Sequence, residues 1–249
     1  MARDALDWLK QPIAHRGLHD AAHGIVENSA SAIEAAIAKG YAVEVDLQCA
    51  AHGAPIVFHD RTLERLTAET GAVATRYAAA LCRIPLRNSS DCILSLEGLL
   101  GLVDGRAPLL IEVKSTWSGD HVYEQNIAAA LAPYKGQVAV MSFDPECVAA
   151  FRRAAPSLPR GLISERFEDK HYWPDLSAWQ RFARRHLLTA ALARPDFIAY
   201  DIRALPALAP GIARDVFRLP LLTWTVRSEA DRANAQLFAD AMIFEGIEP

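Results

Sequence analysis

Residues 42–48, AVEVDLQ, alternate apolar and acidic side chains, which is the pattern of a β-strand with two different faces. Residues two apart in a strand share a face, so Glu44 and Asp46 point to one side and the apolar residues to the other. The run at 108–113 repeats the pattern, and Glu112 and Lys114 share a face there. Both strands therefore carry charged residues on a face that is expected to be buried.

Short apolar runs alternate with amphipathic, alanine-rich stretches along the whole chain, which is typical of repeated βα units and a parallel sheet. The predicted strands are residues 12–15, 42–48, 108–113, 138–142, 160–164, 196–200, 220–225 and 241–244. Eight parallel strands close a barrel, and 249 residues is the usual length of one. The sequence predicts a single α/β domain over residues 1–249, a (β/α)8 TIM barrel, with a doubly wound open sheet as the alternative.

A further extended run, residues 55–59, follows the second strand after a turn around His52-Gly53. Such a connection is too short for a parallel crossover, which needs a dozen or more residues. It is typical of a hairpin between antiparallel strands. We therefore expect a small β-hairpin excursion after strand 2 of the barrel.

Helix signals fall between the predicted strands. Ser31 and Glu34 have the spacing of a capping box, and Asp144 before a proline marks another helix start. The polar and aromatic segment 165–194 is longer than a minimal connection, so we expect it to cap one end of the barrel. Its two tryptophans favour packing against helices over contact with a ligand.

The formal charge of −4 argues against a protein that binds nucleic acid, where a basic surface normally supplies the affinity. The chain contains neither an apolar secretory signal at its start nor an apolar run of transmembrane length, so no membrane insertion is expected. Its 4 cysteines lack C-x-x-C or framework spacing, which is typical of reduced thiols. These features predict a cytoplasmic location and leave the oligomeric state open.

Three carboxylates, those of Glu44, Asp46 and Glu112, converge on the axis of the predicted barrel. Unpaired buried charges destabilise a fold, so a group of this kind needs compensation. Oxygen ligands without cysteine or paired histidine favour a hard cation, Mg²⁺ or Ca²⁺, over zinc. The alternative is a set of salt bridges with Lys114 and Arg16.

Two histidines end neighbouring extended runs, His15 after the first strand and His59 after the hairpin. Both are expected at the rim formed by the carboxyl ends of the strands. Imidazole titrates near neutral pH and suits general acid and base catalysis. Arg16 offers a planar fork and Lys114 a point charge to phosphate oxygens. Together with a metal ion, Arg16 and Lys114 would neutralise the negative charge of a small-molecule phosphodiester and stabilise its transition state.

Seven short motifs occur in one order over nearly the whole chain. They are AHRG at 14–17, ENS at 27–29, EVD at 44–46, VFHD at 57–60, IEVK at 111–114, SF at 142–143 and WTV at 224–226. With these motifs the chain resembles the glycerophosphodiester phosphodiesterase family. The resemblance implies a Mg²⁺- or Ca²⁺-dependent hydrolysis of glycerophosphodiesters to glycerol phosphate and an alcohol, at the carboxyl ends of the barrel strands.

The resemblance also implies a role for each matching position. It makes His15 and His59 the acid–base pair, Glu44, Asp46 and Glu112 the metal ligands, Arg16, Lys114 and Trp224 the substrate contacts, and Glu27 a supporting residue. Two features depart from the family pattern. Segment 83–92 differs from the usual approach to the third βα unit, and Glu245 follows the last strand where an aspartate is expected.

Three competing interpretations are compatible with the same residues. Paired carboxylates in a barrel also serve glycoside hydrolases, although His15 and Arg16 beside Lys114 fit a phosphate better than a sugar cation. A lysophospholipase D-type phosphodiesterase would use the same groups on a larger substrate. A non-catalytic barrel that binds a phosphorylated ligand is the third, because fold does not guarantee function.

Overall fold

Eight strands form a closed ring of parallel neighbours in the computed structural model, which describes residues 3–169 and 172–249. They are β1 (Ile13–Ala14), β2 (Ala42–Cys49), β5 (Leu109–Val113), β6 (Val138–Ser142), β7 (Arg160–Ser164), β8 (Phe197–Asp201), β9 (Leu221–Val226) and β10 (Ala241–Phe244). Parallel pairing of β1 with both β10 and β2 closes the ring. The predicted (β/α)8 barrel is confirmed, and the open sheet is excluded.

The predicted hairpin after the second barrel strand is also confirmed. It is formed by β3 (Pro55–Val57), which pairs antiparallel with β2 and places Val57 opposite Leu47. A short strand that the sequence did not predict, β4 (Leu94–Ser95), pairs antiparallel with β3. Two residues are too few to show a periodicity of their own.

Helices lie between the barrel strands. They are α1 (Ala30–Ala38), α2 (Ala78–Leu81), α3 (Leu96–Val103), α4 (Val122–Leu131), α5 (Pro145–Ala154), α6 (Ala178–Arg185), α7 (Ala190–Ala193), α8 (Leu208–Asp215) and α9 (Glu229–Phe238). Short 3-10 helices span Arg3–Lys10, Ala21–His23, Ala51–Gly53, Val73–Thr75 and Ile202–Ala204. In the described part of the chain, none of the helices is both long and apolar enough to cross a bilayer.

The start of α1 differs from the predicted capping box. Ser29, not Ser31, is the N-cap, and its hydroxyl accepts a hydrogen bond from the backbone N–H of Ala32. The N–H of Ser31 donates instead to the carboxylate of Asp91, 60 residues away in the chain. This tertiary contact decides between two serines that look alike in the sequence. The helix start at Asp144 is confirmed.

Apolar residues fill two layers of the barrel. The outward residues Val43, Val45 and Leu47 of β2 pack in the core shared with the helices. The interior is apolar at the amino ends of the strands, where the 3-10 helix Arg3–Lys10 contributes Trp8 and two leucines. Since the inward face of β2 and β5 changes from apolar to acidic along each strand, the charged groups lie toward the carboxyl ends.

Candidate active site

The three predicted acids meet in the interior at the carboxyl ends of β2 and β5. Asp46 and Glu112 are register partners on the adjacent strands, and Glu44 lies two residues before Asp46 on the same face. Each offers one carboxylate oxygen, and these oxygens all lie within 4.8 Å of one another. All three residues are buried. The alternation seen in the sequence therefore produces the expected cluster.

Two cations pair with this cluster, both through Asp46. Lys114 places Nζ 2.8 Å from Oδ1 of Asp46 and also contacts Glu112, and Arg16 places Nε 3.1 Å from Oδ2 of Asp46. Although burial acts in the opposite direction, Lys114 and Arg16 hold the pKa of Asp46 well below its usual value. Asp46 is therefore ionised and compensated within the chain.

Glu44 has no such compensation. Its Oε2 accepts a 2.8 Å hydrogen bond from the backbone N–H of Arg16, but its Oε1 is buried and has no hydrogen-bond donor among the described residues. Burial, together with the charges of Asp46 and Glu112, raises the pKa of Glu44 well above its usual value. The salt-bridge interpretation thus accounts for Asp46 and leaves Glu44 unexplained. An all-oxygen group with an orphaned, buried carboxylate oxygen fits a hard divalent cation.

His15 follows β1 and lies beside the residue that follows β10. Its Nδ1 donates a 2.8 Å hydrogen bond to Oε2 of Glu245, which also accepts a 2.8 Å hydrogen bond from Arg227. The hydrogen bond from His15 lowers the pKa of Glu245 to about 2 against the effect of burial. An ionised carboxylate only accepts, so Nδ1 carries the proton and Nε2 of the neutral ring has the free lone pair.

Burial lowers the pKa of His15, whereas the hydrogen bond to Glu245 acts in the opposite direction. The neutral ring is therefore favoured near pH 7. Glu245, read in the sequence only as a departure from the family pattern, is the group that orients this histidine. Its position directly after the last barrel strand was the available signal.

His59 follows β3 and is oriented by the next residue. Its Nδ1 donates a 2.7 Å hydrogen bond to Asp60, whose other oxygen accepts from Arg65 at 2.6 Å. Although burial acts in the opposite direction, His59 and Arg65 hold the pKa of Asp60 well below its usual value. Glu27, the predicted supporting residue, accepts from Arg65 and, at 2.7 Å, from Arg16. A continuous chain of hydrogen bonds and ion pairs thus links the His59 side of the site to the acids.

Asn28 is a site residue that the sequence analysis did not single out. Its side-chain Nδ2 donates to Oδ2 of Asp46 at 2.9 Å, and its Oδ1 accepts from the backbone N–H of Asp46 at 3.0 Å. An amide can donate and accept at once, which a carboxylate cannot. Asn28 thereby fixes both the backbone and the side chain of Asp46.

The two histidines line different cavities that share Glu112. His59 and Lys114 line a cleft of about 320 Å³, together with Trp173. His15, Glu44 and Trp224 line a small cavity of about 20 Å³ beside it. The indole Nε1 of Trp224 is buried and has no hydrogen-bond acceptor in the described ranges. Glu112 therefore lines both cavities, one with each histidine.

The two tryptophans of segment 165–194 differ in their surroundings. Trp173 packs on Phe143 and Phe167, with ring centroids 5.3 and 5.2 Å away, and lines the cleft, contrary to the expectation of helix packing. Trp179 is 67% exposed and stacks on Phe182 within α6. Lys170 and His171 of this segment lie outside the described residues.

Known proteins resemble the chain in sequence and in fold. The sequence profile of the glycerophosphoryl diester phosphodiesterase family matches residues 15–247. A curated protein of Mycobacterium tuberculosis, "Probable glycerophosphodiester phosphodiesterase 1", is 27% identical over 177 residues, which cover 61% of this chain. The chain spans 64% of the length of that relative.

Solved structures share the barrel. An Oleispira antarctica phosphodiesterase in complex with the product sn-glycerol-3-phosphate superposes with a TM-score of 0.76 at 19% identity, covering 96% of this chain and 94% of that one. A putative glycerophosphoryl diester phosphodiesterase from Silicibacter pomeroyi gives 0.74 at 23% identity, covering 96% and 93%. These likenesses establish the fold, and the profile establishes the family. The chain belongs to the glycerophosphoryl diester phosphodiesterase family.

Proposed function

We propose that this chain hydrolyses glycerophosphodiesters to glycerol phosphate and an alcohol, with a divalent metal and two histidines. The observation that carries the proposal is the buried carboxylate of Glu44, one oxygen of which has no hydrogen-bond donor among the described residues. Glu44 lines a small cavity with His15, and both His15 and His59 have a carboxylate partner. Membership of the family supports the substrate class. The product bound to the Oleispira protein supports glycerol phosphate as one product.

Glu44, Asp46 and Glu112 would hold Mg²⁺ or Ca²⁺ in this proposal. The ion would supply positive charge to the phosphodiester oxygens as a Lewis acid. Lys114 lines the cleft and would add a point charge there. Trp224 would donate through Nε1, which has no acceptor among the described residues. Arg16 would hold Glu27 and Asp46 in place and use its remaining N–H groups on phosphate.

His15 is the proposed general base. Its neutral form is favoured by burial, and Glu245 fixes the tautomer with Nε2 free to take a proton from the attacking oxygen. His59 is the proposed general acid, which gives a proton to the leaving alcohol oxygen from the wall of the wider cleft. Asp60 orients the ring of His59 through the 2.7 Å hydrogen bond.

The test is a substrate panel with metal titration, run on the full chain. We expect hydrolysis of glycerophosphodiesters, no hydrolysis of glycosides, and loss of activity in excess chelator that Mg²⁺ or Ca²⁺ restores. Lysophospholipids in the same panel test the lysophospholipase D alternative. Full turnover in chelator would rule out the metal, and binding of glycerol phosphate without any turnover would favour the non-catalytic barrel.

A histidine variant tests the acid–base assignment. His59→Ala should still fold and bind metal but lose on the order of 10² to 10⁴ in rate. His23→Ala is the matched control, because His23 is mostly exposed and pairs with Asp20, outside the site. Turnover of His59→Ala within a few-fold of wild type would show that His59 is structural.

A further inference from the structure

A second group of side chains that could bind a metal surrounds Nδ1 of His15, and the proposed reaction does not use it to bind an ion. Its members are His15, His19 and Glu245, whose ligand atoms all lie within 4.8 Å of one another. Nδ1 of His15 is 2.8 Å from Oε2 of Glu245, and Nε2 of His19 is 4.0 Å from Oε1 of the same carboxylate. No residue of this group belongs to the acid cluster.

His19 gives an independent reason to expect a ligand. Its side chain is only 18% exposed, and its Nε2 is buried without a hydrogen-bond partner in the described parts of the chain. A buried polar atom left without a partner costs free energy, and native proteins contain few of them. A ligand that accepts the Nε2 lone pair would satisfy it.

The donor set has the chemistry of a zinc site. Two imidazole nitrogens and one carboxylate oxygen are a common Zn²⁺ set, with bonds of about 2.0–2.2 Å. Ligand atoms around a tetrahedral ion with such bonds lie about 3.3 Å apart. The 2.8 and 4.0 Å separations reach the two different oxygens of Glu245, and the three ligand atoms lie within 4.8 Å of one another, so side-chain rotations would have to bring one oxygen and the two nitrogens to that distance. The all-oxygen acid cluster, by contrast, favours a hard ion.

We propose that His15, His19 and Glu245 form an inhibitory Zn²⁺ site, separate from the acid cluster. On binding, the proton of His15 moves from Nδ1 to Nε2 by exchange with solvent, and the freed Nδ1 lone pair binds the ion. Arg227, which is 57% exposed, gives up its hydrogen bond to Glu245 and turns to water. Zinc then holds the His15 ring in the tautomer whose Nε2 carries the proton, so no lone pair is left to act as the base, and turnover stops while Mg²⁺ stays bound. The inhibition rests on the proposed role of His15, but the binding does not.

Zinc binding and activity are measured side by side on the full chain in saturating Mg²⁺. Binding is followed by competition with a chromophoric chelator, and turnover with the preferred glycerophosphodiester. Wild type should bind one Zn²⁺ that excess Mg²⁺ does not displace, and should lose activity in parallel. His19→Gln should keep its basal activity, bind Zn²⁺ at least tenfold more weakly, and resist the inhibition.

Two further variants make the result decisive. His23→Gln, on a mostly exposed histidine four residues further on, should behave as wild type. His19→Asn replaces His19→Gln if the latter does not fold, as judged by its melting temperature. Equal zinc affinity in wild type and the His19 variants, or displacement of zinc by Mg²⁺, would overturn the site. Zinc that binds without inhibiting would overturn its inhibitory role, and zinc binding by a chain that hydrolyses no phosphodiester would overturn the proposed function alone.

Discussion

Nδ1 of His15 lies 2.8 Å from Oε2 of Glu245, so a carboxylate that follows the last barrel strand fixes the tautomer of an imidazole that follows the first. The ring closure makes this possible, because β1 and β10 are parallel neighbours with Ala14 opposite Phe244. His15 directly follows Ala14, and Glu245 directly follows Phe244. The orientation of the proposed base therefore depends on the closure of the barrel.

Glu245→Gln should shift the pH dependence of kcat/KM. Glu245 raises the pKa of His15, so its loss lowers that pKa. A base must be neutral, and a lower pKa keeps it neutral to lower pH, so the acidic limb should move to lower pH. The rate at the optimum should also fall, by about 10²-fold or more, because the tautomer is no longer fixed.

The matched control for this variant is Glu248→Gln, which removes an exposed carboxylate paired with Lys39. Its pH profile should equal that of wild type. Movement of the alkaline limb in Glu245→Gln, with an unchanged acidic limb, would assign His15 as the acid instead.

Glu44→Gln should separate metal binding from folding. The pKa of Glu44 is raised in the folded chain, mainly by burial, so its contribution to stability is present below the ordinary value of 4.5 and is lost as pH rises through the raised pKa. In excess chelator, the melting temperature of Glu44→Gln relative to wild type should therefore increase as pH rises above 4.5.

Added Mg²⁺ should make wild type more stable than Glu44→Gln. At 100 times the Kd a ligand stabilises a fold by about 2.7 kcal/mol, and only wild type keeps the third carboxylate. Wild type should gain melting temperature with Mg²⁺, and Glu44→Gln should gain little and have no turnover. An equal gain in both proteins would show that the ion binds elsewhere.

Trp224→Phe should weaken catalysis without disturbing the fold. The ring keeps its edge-to-face contact with Phe143, at 5.5 Å between centroids, but the Nε1 donor, which has no acceptor in the described part of the chain, is removed. Loss of one hydrogen bond of about 1 kcal/mol corresponds to about a fivefold fall in kcat/KM. Trp179→Phe changes an exposed ring and is the control, so its kcat/KM should equal that of wild type. Unaltered kinetics in Trp224→Phe would show that the indole N–H does not contact substrate.

The sequence predicted the parts of the site that follow from strand periodicity. Glu44 and Asp46 share a face because they are two apart in a strand, and Glu112 joins them because its strand is the neighbour in the barrel. Contacts between residues in different loops could not be predicted from the sequence. Glu27 meets Arg65 across 38 residues and His15 meets Glu245 across 230, and no local pattern encodes such pairs.

Arg16→Lys tests the last substrate contact that the sequence predicted. Nη1 of Arg16 donates to Glu27 at 2.7 Å while Nε lies 3.1 Å from Asp46, so the planar fork holds two acids at once. A lysine ammonium keeps the charge but can replace only one of these contacts well. The loss of kcat/KM should therefore lie between wild type and Arg16→Ala.

Melting temperatures distinguish two roles of Arg16, holding the acids in place and binding the phosphate. Breaking a buried ion pair costs up to about 3–5 kcal/mol, so Arg16→Ala should melt well below wild type and Arg16→Lys between the two. Arg65→Lys is a comparison for the loss of one Glu27 partner, although Arg65 also pairs with Asp60 and so acts on His59. If Arg16 only held Glu27 and Asp46 in place, its loss of activity would follow its loss of melting temperature. A larger loss of kcat in Arg16→Lys, at matched melting temperatures, would show that the fork also acts on the transition state. Unaltered kinetics in both folded Arg16 variants would show that it contacts no phosphate.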